Sequence, residues 1–408
     1  MSDIALSQTM LFLVGEPDGA ERVDIADLFA VRLAGMGLEI DYVIFVSEPA
    51  GFWREASWHG ARAFVTGRSS RQGLAGKVLN KLIELAADIR TFWQALVGDY
   101  DTIQVRDKFV VALLGLVAAR LRGRRFCYWY SYPFAESRIL EGREGRARVP
   151  ALSIAGGTVA RWLLYRVIMP RADHVFVQSQ QMLADIAAEG VPRELMTAVP
   201  MAVSETLLEH PQPPVIPDTV LYLGTMGRVR RLDIMLEALQ RVRAQRPQAR
   251  LIMVGDGPDP ADLEWLRSRT AELGQTDAVE FTGRLPMQES HARVATAAVC
   301  VSPFYPTPIL RSTSPTKISE YMALGRPVVA NEHPEQSIIL SESGAGLCVE
   351  WSARAFADAI LEMLNDPAAA EAMAARGRAY VREHRIYPVV APPVAAEYAR
   401  LHSREATV

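Results

Sequence analysis

Residues 314–330, SPTKISEYMALGRPVVA, combine a helix whose two ends are marked with a buried strand that follows at once. Ser314 suits the N-cap of this helix, and Pro315 suits its first position, where the N–H that proline lacks would have no intrahelical partner. Gly325 stands where a left-handed C-cap is needed. Residues 328–330 are apolar, as in a parallel strand that is covered on both faces. A chain that repeats such units is restricted to an α/β fold.

The start of this helix is also a candidate anion site. The free N–H groups of a first turn and the positive end of the helix dipole attract negative charge. Ser314, Pro315, Thr316 and Lys317 occupy that turn, and the Lys317 side chain adds a mobile positive charge. By its helix signals alone, the segment could equally be a well-capped helix with a solvated lysine.

The rest of the chain alternates short apolar strands with helices, which predicts doubly wound parallel sheets. A length of 408 residues allows two domains of roughly 150–200 residues each. The stretch 204–218 is rich in proline and has no periodicity, as is typical of a linker. We therefore predict Rossmann-like domains at 1–203 and 219–385, followed by a C-terminal helix and tail at 386–408.

Composition excludes several other classes of protein. A content of 50% hydrophobic and 22% charged residues is ordinary for a globular enzyme, and a net charge of -3 does not suit a general nucleic-acid binder. Cys127, Cys300 and Cys348 have neither metal-ligand nor disulfide-framework spacing, so we expect buried thiols in a reducing cytoplasm. We expect no signal peptide and no membrane-spanning helix, because neither pattern is present.

The segment 314–330 resembles the donor-site signature of the family 4 glycosyltransferases, also called glycosyl transferases group 1. That family has the GT-B fold, in which two Rossmann-like domains enclose a donor cleft and a C-terminal helix crosses back. Its members use nucleotide sugars. The resemblance implies that Ser314 to Lys317 receive the donor diphosphate and that Glu320 binds the ribose. The family's commoner pattern has another glutamate, for the sugar, where this chain has Ser312.

The resemblance covers most of the second half of the chain. In the family, an arginine and a lysine in the turn after the first strand of this half neutralise the diphosphate. Here Arg230 stands at the place of the lysine and Thr225 at the place of the arginine, for which Arg228 is the candidate substitute. A later Gly-Arg pair implies a pocket for the nucleobase. The implied donor-binding residues of these two turns are Gly224, Thr225, Arg228, Arg230, Arg284 and Leu285.

The first half follows the family only in outline. Gly15, in the loop after the first strand, corresponds loosely to a glycine-containing loop near the donor phosphate. Asp107 and Glu136 follow two later strands, where the family places polar residues near the sugar and the acceptor. Together with Arg230 and Lys317 they are our candidate catalytic residues. The alternative for Asp107 and Glu136 is helix capping, which is the commoner role of such side chains.

A basic region that contains tryptophan extends from Trp53 to Arg90 and includes a helical pattern from Ala75 to Leu96. Such a region, together with the apolar helix around Trp162, could rest on an anionic membrane surface. The alternative is a core helix with a solvated charged face. The sequence leaves both interpretations open.

The sequence thus predicts a retaining glycosyltransferase that uses a nucleotide-diphosphate sugar, with UDP favoured because it is common in the family. The predicted acceptor is a glycan or a lipid-linked intermediate of envelope or exopolysaccharide synthesis, at the inner face of the membrane. We expect no cofactor and no metal, because Arg228, Arg230 and Lys317 can stabilise the leaving group electrostatically. A nucleotide-sugar epimerase and a non-catalytic partner subunit on the same fold are the alternatives. An epimerase would convert the donor with no acceptor present.

Overall fold

The computed structural model describes residues 6–14, 22–71, 73–257 and 259–403. The chain divides into two compact units. The first comprises Met1–Pro200 together with Tyr387–Val408, and the second comprises Met201–Ile386. Within the described residues, no helix is long and apolar enough to cross a membrane.

The first unit is built on a sheet in which all neighbouring strands but one pair are parallel. Its strands are β1 (Gln8–Leu13), β2 (Leu38–Val46), β3 (Arg54–Trp58), β4 (Ala61–Gly67), β5 (Thr102–Arg106), β6 (Arg125–Tyr130), β7 (His174–Val177) and β8 (Met196–Ala198). Their order among the described residues is β3-β4-β2-β1-β5-β6-β7-β8. The central strands β1 and β5 are buried on both faces, which explains their nearly continuous apolar sequences.

The antiparallel strand β3 was not predicted from the sequence. It pairs with β4, with Trp58 opposite Ala61, and only His59 and Gly60 lie between the two strands. Both turn residues have positive φ angles, of 48° and 81°, as a two-residue hairpin requires. The strand lies at the sheet edge and is largely exposed, so its sequence lacks the apolar run by which the parallel strands are recognised.

Helices cover both faces of this sheet. They are α1 (Gly73–Val97), α2 (Phe109–Arg122), α3 (Phe134–Arg143), α4 (Pro150–Leu163) and α5 (Gln180–Ala188), with π-helical segments at Asp24–Leu33 and Leu164–Ile168. The last helix of the chain (Tyr387–Ser403) also belongs to this unit. It is held by Tyr398, whose ring centroid lies 5.2 Å from that of Phe176 and whose hydroxyl donates to Gln104 Oε1 at 2.5 Å.

The second unit has a sheet in which all the described strands are parallel. Its strands are β9 (Thr219–Leu223), β10 (Arg250–Val254), β11 (Val279–Gly283), β12 (Val299–Ser302), β13 (Val328–Asn331) and β14 (Gly346–Val349). Their order is β11-β10-β9-β12-β13-β14. Cys300 in β12 is buried, as expected, but Cys348 in β14 is exposed, because β14 is an edge strand.

The helices of the second unit alternate with its strands. They are α6 (Asp233–Gln245), α7 (Pro260–Glu272), α8 (Met287–Thr296), α9 (Thr316–Ala323), α10 (Pro334–Ser343), α11 (Ala353–Asn365) and α12 (Pro367–His384), and the final helix of the first unit (Tyr387–Ser403) is α13. Both units therefore have the doubly wound α/β architecture that the sequence predicts. The predicted linker, 204–218, lies within the second unit and contains a 3₁₀ turn at Glu205–Glu209.

The segment around α9 follows the prediction at its C-terminal end and departs from it at the start. Gly325 has a φ of 69° just after the helix, and Val328–Asn331 form the strand β13. Ser314, however, is not the N-cap. Pro315 occupies that position without a side-chain cap. The Ser314 hydroxyl instead accepts a hydrogen bond from the backbone N–H of Met201, at 3.0 Å, so its role is to fix another segment of the chain.

Tyr321 connects α9 to the ends of two strands. Its hydroxyl oxygen accepts a hydrogen bond from the N–H of Leu223, at 2.7 Å, and lies 3.3 Å from the carbonyl oxygen of Val301. Leu223 ends β9 and Val301 lies in β12, so one buried hydroxyl holds the helix in register with both strands. The side chain is fully buried.

We expect Tyr321→Phe to lower the free energy of unfolding by about 1–3 kcal/mol, because it leaves the N–H of Leu223 without its partner. Tyr380→Phe is a matched control, since the Tyr380 hydroxyl donates to Glu342, which is exposed and can turn to water. Urea unfolding of both variants measures the difference. Equal destabilisation of the two would contradict the anchoring role of Tyr321.

Candidate functional site

Three glycines meet at the carboxyl ends of neighbouring strands in the second unit. Gly224, Gly255 and Gly283 follow or end β9, β10 and β11, and all have positive φ angles. The N–H of Gly255 donates to the carbonyl oxygen of Gly283 at 3.0 Å. A Cβ atom on Gly255 would lie 2.2 Å from the carbonyl oxygen of Gly224. The strand ends therefore approach too closely for a side chain, which leaves backbone groups at this edge of the sheet.

Lys317 in α9 is directed toward the first of these glycines. A Cβ atom on Gly224 would lie 3.2 Å from Lys317 Nζ. The Nζ atom lies 4.1 Å from the ring centroid of Tyr222 and 5.2 Å from that of Phe304. Only 9% of the residue is exposed, and Nζ has no hydrogen-bond partner among the described residues. Lys317 is thus a buried cation that is contacted by ring faces.

The electrostatic surroundings of Lys317 disfavour its charge. Burial holds the pKa of Lys317 well below its ordinary value, and the positive charge of Arg230 acts in the same direction. The negative charge of Glu320, one turn further along α9, acts in the opposite direction and raises the pKa of Lys317. Burial in turn raises the pKa of the Glu320 carboxyl, against the attraction of Lys317. A bound anion would relieve this arrangement, because it would pair with the buried ammonium group.

The structure brings Arg230 to Lys317 and directs Arg228 elsewhere. The guanidinium of Arg230 lies 5.7 Å from the ring centroid of Phe304, which also faces Lys317. Arg228 is 54% exposed; its Nε lies 3.7 Å from Asp262 Oδ1, and its guanidinium lies 5.6 Å from the Trp265 ring. Both of its partners belong to α7. Arg230 is therefore the better placed of the two arginines to act with Lys317.

The remaining candidates of the second unit lie at the same edge of its sheet. Thr225, directly after Gly224, is exposed, and its carbonyl oxygen accepts the hydroxyl of Tyr222 at 2.8 Å. Arg284 is exposed directly after Gly283, and the half-buried Leu285 packs against a hydrophobic core cluster. Ser314 and Pro315 are buried at the start of α9, where Thr316 is half-buried.

Sequence analysis missed the side chains that hold Phe304 in place. Asn331, at the end of β13, accepts the N–H of Phe304 at 2.7 Å and donates to its carbonyl oxygen at 2.9 Å. His333 is buried, its ring centroid lies 5.0 Å from that of Phe304, and its Nε2 lies 2.8 Å from the carbonyl oxygen of Leu310. The signal available in the sequence was a pair of polar residues just after a buried strand, a position that often faces a ligand.

In the first unit, Asp107 takes part in a buried polar cluster at the end of β5. Its φ angle is +61°, an unusual conformation for aspartate. Asp107 Oδ1 accepts the N–H of Ser131 at 2.7 Å, and Oδ2 accepts the Ser131 hydroxyl. The fully buried Arg106 donates to Ser131 Oγ at 3.1 Å and has its Nη2 3.6 Å from Asp24 Oδ2. The Asp107 side chain is thus held in one orientation.

Glu136, in the first turn of α3, is held by two tyrosines. It accepts the hydroxyl of Tyr165 at 2.8 Å and that of Tyr130 at 3.3 Å, and Arg161 Nε lies 3.5 Å away. No side-chain cap is present at the start of α3 or of α2, the helix after Asp107. Neither acid is the N-cap residue of its helix, since Lys108 and Pro133 occupy those positions. Gly15 lies outside the described residues.

The pKa of Lys317 leads to a testable effect on stability. A buried ammonium group without a hydrogen bond costs free energy, and ring faces offset only part of it. We expect Lys317→Met to raise the free energy of unfolding of the unliganded protein by about 1 kcal/mol near neutral pH. Because the folded pKa is depressed, wild-type stability should rise as the pH increases from that pKa toward about 10.4.

Urea unfolding of the wild type and Lys317→Met across this pH range measures both effects, and the variant should lack the rise with pH that Lys317 causes. Lys81→Met, at an exposed lysine, is the control and should change neither quantity appreciably. Loss of stability in Lys317→Met at neutral pH would mean that the ring contacts outweigh the cost of burial.

Comparison with solved structures shows the fold of the whole chain. A sucrose-phosphate synthase from Thermosynechococcus elongatus is 21% identical, with a TM-score of 0.71 over 97% of this chain and 100% of that chain. HepE from Anabaena, solved with UDP-glucose, is 16% identical, with a TM-score of 0.69 over 96% of this chain and 100% of that chain. The chain therefore has the GT-B fold, with two Rossmann-like sheets.

A curated relative from Mycobacterium tuberculosis matches part of the chain. It is named a GDP-mannose-dependent alpha-(1-6)-phosphatidylinositol monomannoside mannosyltransferase, and it is 32% identical over 166 residues. The match spans 40% of this chain and 42% of the length of the relative.

Two family models match the two halves of the chain. The model described as a glycosyl transferase 4-like domain matches residues 25–202. The model described as glycosyl transferases group 1 matches residues 217–366, which include the three glycines, Arg230, Lys317 and Glu320. The chain belongs to the glycosyl transferases group 1, the family 4 glycosyltransferases of GT-B fold.

Proposed function

We propose that the chain transfers a sugar from a nucleoside diphosphate sugar to an acceptor hydroxyl, with retention of the anomeric configuration. The observation that carries this proposal is the buried ammonium group of Lys317, which has no hydrogen-bond partner among the described residues and lies against Gly224. A diphosphate is a suitable anion for this position, because Arg230 and the free N–H groups at the start of α9 are close by.

The leaving group is stabilised by the same groups. When the bond between the anomeric carbon and the diphosphate oxygen breaks, negative charge increases on that oxygen. Lys317, Arg230 and the positive end of the α9 dipole stabilise this charge electrostatically. The acceptor hydroxyl attacks the anomeric carbon from the face that the diphosphate leaves, and its proton passes to the departing diphosphate. The products are a nucleoside diphosphate and the glycosylated acceptor.

Each remaining candidate receives a role from its position. We assign the Glu320 carboxylate to the ribose hydroxyls, and Arg284 and Leu285 to the nucleobase, because they follow a strand end at the same edge of the sheet. Asp107 and Glu136 are proposed to face the sugar and the acceptor in the first unit. Their tyrosine, serine and arginine partners hold them in fixed orientations, as a reacting centre requires.

The donor and the acceptor are proposed as classes. The mycobacterial relative is named for GDP-mannose and a phosphatidylinositol acceptor, whereas HepE was solved with UDP-glucose. We propose a UDP- or GDP-sugar as the donor, with UDP retained as the first choice from family frequency. The proposed acceptor is a glycan or a lipid-linked intermediate, used at the inner face of an anionic membrane.

The direct test is incubation with UDP- and GDP-sugars, with and without lipid-linked and soluble glycan acceptors. Transfer that requires both donor and acceptor supports the proposal. Conversion of the donor sugar without an acceptor would identify an epimerase. A complete lack of donor binding in a thermal-shift screen would favour a non-catalytic subunit, since a ligand at 100 times its Kd should stabilise the fold by about 2.7 kcal/mol.

We expect Arg230→Ala to lower kcat by roughly 100-fold, because a charge-assisted contact to the leaving group is lost. Arg231→Ala is the matched control. Its guanidinium is half exposed and pairs with Asp233 at 3.0 Å, so the variant should keep near wild-type turnover. Steady-state kinetics with saturating acceptor measure both. Equal turnover in the two variants would remove Arg230 from the proposed mechanism.

We expect Glu320→Gln to weaken nucleotide binding by about 1.5–3 kcal/mol, because hydrogen bonds to a charged acceptor are stronger than those to a neutral amide. The comparison of a ribonucleotide with its 2′-deoxy analogue, by calorimetry, isolates the ribose contact. The wild type should discriminate between the two ligands, and the variant should do so less. If the variant discriminates as well as the wild type, Glu320 has a role inside α9 only.

A further inference from the structure

The helix α1 (Gly73–Val97) exposes a continuous apolar stripe. Six large side chains on it are each between 50% and 57% exposed. They are Val78, Leu82, Leu85, Ile89, Trp93 and Val97. Their spacings of three and four residues place them on one face of the helix, within an arc of about 120°. We call these six residues the α1 stripe.

The most deeply buried residues of α1 are small or polar, and the half-buried Phe92 and Leu96 pack against the core of the first unit. Ala87, Thr91 and Ala95 are almost completely buried and face the sheet. An ordinary surface helix carries polar groups on its outer face, where α1 carries six large apolar side chains. Helical periodicity in the sequence cannot distinguish the two arrangements. The structure therefore removes the core-helix alternative for the α1 stripe.

Charge around the stripe is asymmetric. Lys77, Lys81 and Arg90 on the same helix are exposed, and both acidic residues of the helix are engaged with lysines. Asp88 is buried and pairs with Lys108 on a neighbouring segment, and Glu84 pairs with Lys81. The stripe itself contains only apolar side chains between basic edges.

Exposed apolar side chains are concentrated in the first unit. Of the twenty-one large apolar residues that are exposed in the described chain, seventeen belong to the first unit and four to the second. They include Val117 and Leu121 on α2 and Leu152 and Trp162 on α4. Neither α2 nor α4 contains an acidic residue. Patches of this kind mark interaction surfaces.

We propose that α1 lies in the interface of an anionic bilayer with the α1 stripe inserted among the acyl chains. Basic edges around an apolar face fit a surface that is apolar inside and negatively charged outside. A second copy of this chain would bring equally basic edges and is less complementary. The proposal deepens the proposed function, because it names the surface by which a lipid-linked acceptor would be reached.

Insertion predicts a different response to salt from purely electrostatic adsorption. Salt screens the attraction of Lys77, Lys81 and Arg90 for lipid headgroups, with a Debye length of about 3 Å at 1 M. Burial of the α1 stripe does not depend on screening. Binding should therefore be strongest at low salt on anionic vesicles, and a substantial part should survive high salt.

The test is flotation of the full chain with phosphatidylglycerol–phosphatidylcholine vesicles at about 0.05 and 1 M salt. We expect Leu82→Ser/Ile89→Ser/Trp93→Ser to abolish the salt-resistant fraction, with at least a tenfold loss of partitioning. Lys77→Gln/Lys81→Gln should weaken only the low-salt binding. Val215→Ser/Ile216→Ser/Met287→Ser, at exposed apolar residues of the second unit, is the matched control and should bind as the wild type does.

Three outcomes would overturn the proposal. In the first, the wild type does not float with the vesicles. In the second, Leu82→Ser/Ile89→Ser/Trp93→Ser floats as well as the wild type does. In the third, sedimentation shows that the wild type forms a concentration-dependent dimer and that this variant does not. Thermal shift by UDP or GDP on the same variants reports the second unit separately. If UDP or GDP still raises the melting temperature but the protein does not float, only the membrane-binding surface is rejected. If the protein floats but neither nucleotide raises the melting temperature, the proposed function is rejected and the membrane-binding surface is retained.

Discussion

The arrangement on which the candidate site depends is a buried lysine that has no hydrogen bond within the part of the chain that the structure describes. Lys317 contacts two ring faces and lies against a glycine. Aromatic faces attract a cation but replace only part of its hydration. The surrounding structure must therefore impose this position, through the hydroxyl of Tyr321 and the amide of Asn331. Packing around Lys317 offsets the cost of burying it and keeps the anion site formed in the absence of an anion. Less reorganisation is therefore needed when the anion binds.

Sheet topology explains why the rest of the site assembles around that lysine. Because all described strands of the second sheet are parallel, their carboxyl ends lie at one edge, and the loops after β9, β10 and β11 meet there. Gly255 makes this meeting possible, because a Cβ atom there would collide with the backbone of Gly224. Arg230 follows the first of these loops. The motif residues are far apart in sequence but are adjacent in space because of strand order.

The sequence predicted the second unit better than the first, for a physical reason. Glycines with positive φ, such as Gly325, are required by the backbone and are therefore visible in the sequence. The partner of a polar side chain is chosen by tertiary structure, so neither the contact of Ser314 with Met201 nor that of Arg228 with α7 could be predicted. The same limit applies to the α1 stripe, because periodicity shows which residues share a face and not which way the face points.

The two units differ in where their apolar and charged groups lie, and this difference fits a division of tasks. The second unit exposes few large apolar side chains and places Lys317, which has no hydrogen-bond partner among the described residues, at the strand ends. The first unit exposes apolar helices, and at the end of β5 it buries a charged cluster in which Arg106 lies beside Asp24 and Ser131. A water-soluble, highly charged ligand suits the second unit, and an amphipathic ligand suits the first unit. Selection on two chemically opposite ligands would produce such an asymmetry within one doubly wound architecture.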